Sequence, residues 1–145
     1  MAETLELDTN CVIAALCAWH PHHHQASDRV RRERALGTRL VIASHSMVEV
    51  YAVLTRLPPP HRLAPADAVY LLTANAGLWQ VAPALPVDRV WQLLQNCAAQ
   101  QTLGGQVYDA VIAQTVKIHG AAAILTLNLR HFEPFRTPDF AVLAP

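Results

Sequence analysis

Three carboxylates in this 145-residue chain stand apart from every other formal charge. Histidine aside, Asp8 is the sole acidic or basic residue between Leu7 and Ser27, Glu49 between Leu40 and Thr55, and Asp109 between Val90 and Val116. Each sits in an apolar stretch. An ionised carboxylate taken out of water needs a cationic partner, a proton or a metal beside it, and no lysine or arginine lies near in sequence. Three such acids meeting in space would offer hard oxygen ligands, which favour Mg²⁺ or Mn²⁺ over zinc. A metal so held lowers the pKa of its water and neutralises charge on phosphate oxygens, the chemistry of phosphodiester hydrolysis. Glu49 is the candidate for positioning or deprotonating that water.

Each acid also has a structural use. Asp8 can cap the helix that follows it, and Glu49 completes a capping box with Ser46 in the S-x-x-E pattern. Asp109 falls in the first turn of its helix, where the dipole favours negative charge. Capping by itself does not account for all three being the sole charges of apolar segments.

The elements that must position these acids follow from periodicity. Thr4 to Leu7, Leu40 to Ala43, Trp79 to Ala82, Ala121 to Thr126 and Ala141 to Leu143 read as strands, the last at a sheet edge. Helices are expected over Cys11 to Trp19, His20 to Leu36, Ser44 to Leu57, Pro65 to Gly77, Pro86 to Gln100 and Gln106 to His119. Gly37 and Gly120 mark helix ends, and Pro58, Pro59 and Pro60 end the helix that carries Glu49. Asn128 to Phe132 is a polar exit from the fourth strand. Alternating strands and helices favour a parallel sheet covered on both faces. In such sheets ligands bind at the carboxyl ends of the strands, where Asp8 and Asn128 fall.

Composition fits one folding unit over residues 1–145, with 52% apolar and 15% charged residues. No apolar run reaches the ~20 residues of a membrane span, and MAETLELDTN carries acids where a signal peptide is basic, so a cytoplasmic protein is expected. Cys11, Cys17 and Cys97 form no C-x-x-C pair and suit buried, reduced thiols. The net charge of zero argues against nucleic-acid binding by bulk attraction. Ten of the eleven basic residues are arginine, four of them between Arg29 and Arg34, a run that reads first as a solvated helix face.

Taken together, LDTNCVIAAL, HPHHHQA, SHSMVEVYAVLTRLP, VYDAVIAQTVKIHG and ILTLNLRHF, in this order over nearly the whole chain, resemble the PIN-domain ribonucleases and, within them, the VapC toxins of prokaryotic toxin–antitoxin pairs. The resemblance implies a three-layer α/β/α fold with a short, mostly parallel sheet. It implies Mg²⁺-dependent endoribonuclease activity, with Mn²⁺ able to substitute, a homodimer, and inhibition by a small VapB-type antitoxin. It also implies Asp8 and Asp109 as metal ligands, Glu49 as the third acid, direct or through water, and Thr9, Asn10 and Thr126 as polar supports. Many members carry a fourth acid where this chain has Asn128. An amide adds no negative charge, so one firmly held metal is expected. Arg130 and His131 follow and could meet an RNA phosphate, with solvation the plainer role for both.

Other residues are read as structural. His22, His23 and His24 lack the further ligands of a zinc site and are expected in a surface turn. Trp19, Trp79 and Trp91 suit core packing or a dimer or antitoxin interface. Two rival functions remain: a weakly catalytic RNA- or partner-binding domain, and a phosphatase with Asp8 as nucleophile, although Asn10 stands where such enzymes carry a second acid.

Overall fold

The computed structural model describes residues 3–145. Five strands, β1 (Thr4–Leu7), β2 (Arg39–Ala43), β3 (Gln80–Ala82), β4 (Ala123–Leu125) and β5 (Ala141–Leu143), form a wholly parallel sheet. Their spatial order is β3, β2, β1, β4, β5. Around it lie α1 (Thr9–Leu16), α2 (His23–Ala35), α3 (Ser44–Arg56), α4 (Pro65–Ala74), α5 (Val87–Gln100), α6 (Gln106–Ile118) and α7 (Leu129–Phe132).

Side chains alternate across a strand, and here both faces are covered. On one face Leu5, Leu7, Leu40, Ile42 and Leu125 pack with Val12 of α1 and with Val50 and Leu54 of α3. On the other, Val41, Ala43, Ile124 and Val142 pack with Ile112 and Val116 of α6 and Phe132 of α7. The result is the three-layer α/β/α architecture. β1 is central, and the chain leaves it for β2 on one side and returns through β4 to β5 on the other. The carboxyl ends of β1 and β4 therefore flank the crevice where the strand order reverses, the ligand position of open parallel sheets.

Local chemistry explains the boundaries. Gly37 and Gly120 follow α2 and α6 with φ of 81° and 84°, a left-handed conformation that glycine adopts without strain. Pro58 holds the preceding Leu57 extended, at φ −57° and ψ 150°, so α3 stops at Arg56. α1 starts at Thr9, two residues earlier than expected, because Asp8 itself is its cap. The helix expected to Gly77 breaks at Asn75, whose Nδ2 donates to Leu71 O at 2.8 Å, and a short 3₁₀ turn over Ala76–Leu78 follows. The polar exit after β4 is itself helical, as α7.

The expected capping box does not form. β2 runs into α3 without a loop, so Ala43 is the cap and Ser46 lies inside the helix, fully buried, with its Oγ unpartnered. Of the three histidines expected in a surface turn, His22 lies in one and caps α2, whereas His23 and His24 open the helix, and the His23 Nδ1–H donates to Ala14 O at 2.8 Å. Arg31 pairs with Asp28 on the solvated face of α2, whereas the Arg29–Glu33 pair is largely buried, because Glu33 also accepts the Thr38 hydroxyl. Of the tryptophans only Trp79 is core; Trp19 is partly exposed and stacks on His61, and Trp91 is 61% exposed. All three cysteines are free and buried. Among the described residues no helix is long and apolar enough to cross a membrane.

Candidate functional site

Asp8 sits where β1 gives way to α1. Its N–H still donates to Leu125 O of β4 at 3.0 Å, while its extended φ and ψ turn the chain into the helix. One carboxylate oxygen, Oδ1, accepts the Thr9 N–H at 2.7 Å; the other, Oδ2, accepts the Thr126 hydroxyl at 2.8 Å. The Thr126 Oγ1 in turn accepts the Asn128 N–H at 3.0 Å, so β4's exit is tied to β1's. Asp8 is buried, and among the described residues it has no ion-pair partner. Burial pushes its pKa from 3.8 up to about 6; the bonds from Thr126 and Thr9 oppose this, and repulsion from Asp109 and Glu49 adds to it.

Glu49 lies one and a half turns into α3. Its Oε2 accepts the Thr9 hydroxyl at 2.8 Å and its Oε1 accepts from His45 Nε2 at 2.9 Å. Asp109 lies in the first turn of α6, half-buried, with His131 Nδ1 of α7 3.5 Å away. Burial raises its pKa, His131 lowers it, Glu49 raises it and His45 lowers it. Asp8 thus feels the charges of Glu49 and Asp109, and Asp109 that of Glu49.

They do not close around a single point. Among the described residues no three His, Cys, Asp or Glu side chains are grouped to enclose a metal ion. The two outer acids are turned toward histidines, Glu49 to His45 and Asp109 to His131. The donor chemistry nonetheless fits a hard divalent cation: oxygen ligands only, surplus negative charge, and a buried carboxylate at the centre with no cation beside it.

The supporting residues divide between two recesses. Thr9, Asn10, His45, Glu49, Arg56 and Tyr108 line a cavity of about 620 Å³. Asp109, Arg130 and His131 line another of about 430 Å³ with Gly105 and Gln106. Asn128 is exposed and caps α7 through its backbone alone. A third, separate cleft of about 240 Å³ between α5 and α6 holds Arg89 and Lys117 and none of the three acids.

Three residues of the site escaped sequence reasoning. Glu6, two residues before Asp8 on the same face of β1, is fully buried; its Oε1 accepts the Ala43 N–H at 3.3 Å and its Oε2 has no partner. Burial drives its pKa well above the usual carboxylate range, the Ala43 N–H opposes this and the charge of Asp8 adds to it. An acid between Leu5 and Leu7 was the signal. His45 stands four residues before Glu49, the spacing that places two side chains on one helix face. Tyr108, beside Asp109, offered no signal beyond adjacency. His131, read as a solvated residue able to meet a phosphate, is exposed and also stands 3.5 Å from Asp109.

Residues 5–135 match the family described as the PIN domain. The chain is 36% identical over 129 residues to Ribonuclease VapC40 of Mycobacterium tuberculosis, covering 88% of this chain and 89% of that one. It is 38% identical over 122 residues to Ribonuclease VapC27 of the same organism, covering 83% and 75%. In fold it is similar to DNA-bound VapBC from Salmonella typhimurium, with a TM-score of 0.67, 23% identity and coverage of 99% and 98%.

Proposed function

Because this chain belongs to the PIN-domain family, we propose that it is a Mg²⁺-dependent endoribonuclease, the toxin of a VapBC-type pair. The observation that carries the reading is Asp8: a buried carboxylate without a cation, at the switch point of a parallel sheet, with Glu49 and Asp109 in reach of its field. Ribonuclease names among its relatives and VapBC complexes among its structural neighbours support RNA as substrate and a VapB-type antitoxin as partner. A homodimer is supported by the exposed apolar face of α5, where Val87, Trp91 and Leu94 stand open to solvent.

Asp8 and Asp109 would hold the metal, with Glu49 joining directly or through water. Mg²⁺, when bound, would supply Lewis-acid activation of water and neutralise charge building on the phosphate. The protein's own groups do the rest. Thr9 and Thr126 hold both oxygens of Asp8, so the carboxylate keeps its orientation. The Thr9 hydroxyl and His45 aim Glu49, whose carboxylate can take the proton of an attacking water. His131 and Arg130, beside Asp109, offer donors for phosphate oxygens.

The test is cleavage of varied RNAs in Mg²⁺ or Mn²⁺ and in EDTA, comparing the parent with Asp8→Ala and Asp109→Ala. Metal-dependent cleavage lost in both variants is expected; equal cleavage by all three proteins means contamination. A binding-only domain is the second reading, favoured by the outer acids' histidine partners, and absence of cleavage on every RNA would select it. Titration calorimetry with Mn²⁺ is expected to find one firm site per chain, since Asn128 brings no charge; two tight, equivalent sites would overturn that.

A further inference from the structure

We propose that Tyr108 and His45 form a stacking step for a nucleobase of single-stranded RNA, placing the nucleotide next to the scissile phosphate. This rests on the ribonuclease reading and adds the residues that receive the substrate. Tyr108 is 56% exposed although its helix, α6, turns Ala110, Ile112, Ala113 and Val116 into the core. An exposed aromatic is ordinary by itself. This one is not free: its ring lies parallel to that of His45, with centroids 5.5 Å apart and planes 10° apart. His45 is in turn fixed by Glu49 at 2.9 Å. Two parallel rings are thus anchored to one candidate catalytic acid, and Tyr108 is bonded through the backbone to another, Asp109.

The surroundings suit a nucleotide. Both rings border the cavity of about 620 Å³, within the range of ligand sites. Its walls add Asn10, an amide able to pair with a base edge, and Arg56, whose guanidinium has no ion-pair partner among the described residues. Arg56 can meet a phosphate in bidentate fashion. A π-face accepts any base, so the step selects unstacked RNA and fixes its register; base edges at Asn10 add preference. A chain of zero net charge gains its hold on RNA here from stacking and one arginine in place of a basic surface.

The experiment uses the full chain and a labelled single-stranded RNA of mixed sequence. Equilibrium binding is measured in EDTA, and KM and kcat in Mg²⁺, for the parent, Tyr108→Ala and Tyr108→Phe, with a single abasic position moved along the RNA. Tyr108→Ala is expected to weaken binding and raise KM about 5- to 150-fold, with kcat moved far less, while Tyr108→Phe stays near the parent. At one position the abasic RNA should weaken the parent as much as Tyr108→Ala does, with no further loss in the variant. Unchanged binding in Tyr108→Ala, equal losses in the Phe and Ala variants, or no RNA binding by the parent would overturn the proposal; in the last case Tyr108 serves a protein partner. Tyr108-dependent binding without any cleavage would retain the stacking step and reject the nuclease. Asp8-dependent cleavage indifferent to Tyr108 would do the reverse.

Discussion

Asp8→Asn should stabilise the metal-free protein at neutral pH. Folding moves the Asp8 carboxyl from 3.8 to about 6, chiefly through burial. Between those values the folded state binds more protons than the unfolded one, so stability falls as pH rises through the interval and is level above it. The difference amounts to about 3 kcal/mol once the group is fully ionised. Asparagine does not titrate; its oxygen can accept the Thr9 N–H, and its amide can donate to the Thr126 hydroxyl, which reverses the bond that Thr126 donates in the parent. At pH 8 in EDTA the variant should therefore exceed the parent by about 3 kcal/mol, roughly 6–12 °C in Tm for a chain of this length. Urea midpoints measured across pH should show the gap closing as pH falls through about 6 toward 3.8. Losing the Asp8 charge also relieves Glu6, whose pKa that charge helps to raise, so the effect on Glu6 acts in the same direction. Added Mg²⁺ should raise the parent and leave the variant unmoved, which would reverse their order at saturating metal. A parent as stable as Asp8→Asn at pH 8 in EDTA, or a gap independent of pH, would refute the account of Asp8 as a buried charge awaiting a cation.

Other perturbations follow from the same contacts. Thr126→Val removes the donor to Asp8 Oδ2 and the acceptor for the Asn128 N–H, and should weaken Mn²⁺ binding by about 10- to 100-fold in calorimetry, with Thr126→Ser restoring most of it. Ser46→Ala removes a buried hydroxyl that has no partner and should raise stability by about 1 kcal/mol in thermal melts; a comparable loss would mean that the hydroxyl is satisfied. Leu54→Ala, in the fully buried core beneath α3, should cost about 2–5 kcal/mol in urea unfolding, and a loss below about 1 kcal/mol would contradict its packing.

Local pattern carried the sequence reading a long way. The strand at Thr4–Leu7, the helix stops at Gly37 and Gly120, and the Pro58 break after α3 are written in neighbouring residues, because periodicity and backbone restrictions act over a few positions. The isolation of Asp8, Glu49 and Asp109 in apolar segments was equally legible, since a lone charge in a buried segment needs a reason wherever the segment lies. Capping was where local rules misled. Ser46 and Glu49 match a capping box, but β2 feeds straight into α3, and the box ends up inside the helix.

What the sequence by itself determined is the five strands, the six longer helices and the three isolated acids they carry. Which strands lie side by side was decided only by packing: the order β3, β2, β1, β4, β5 brings Thr126 to Asp8 across 118 residues of chain. The same assembly brings Thr9 to Glu49, His131 to Asp109 and Tyr108 to His45. It also shuts Glu6 into the core, two residues before Asp8. These are contacts between elements far apart in sequence. They exist because two apolar faces of one sheet must both be covered, and no local pattern states which helix will cover which strand.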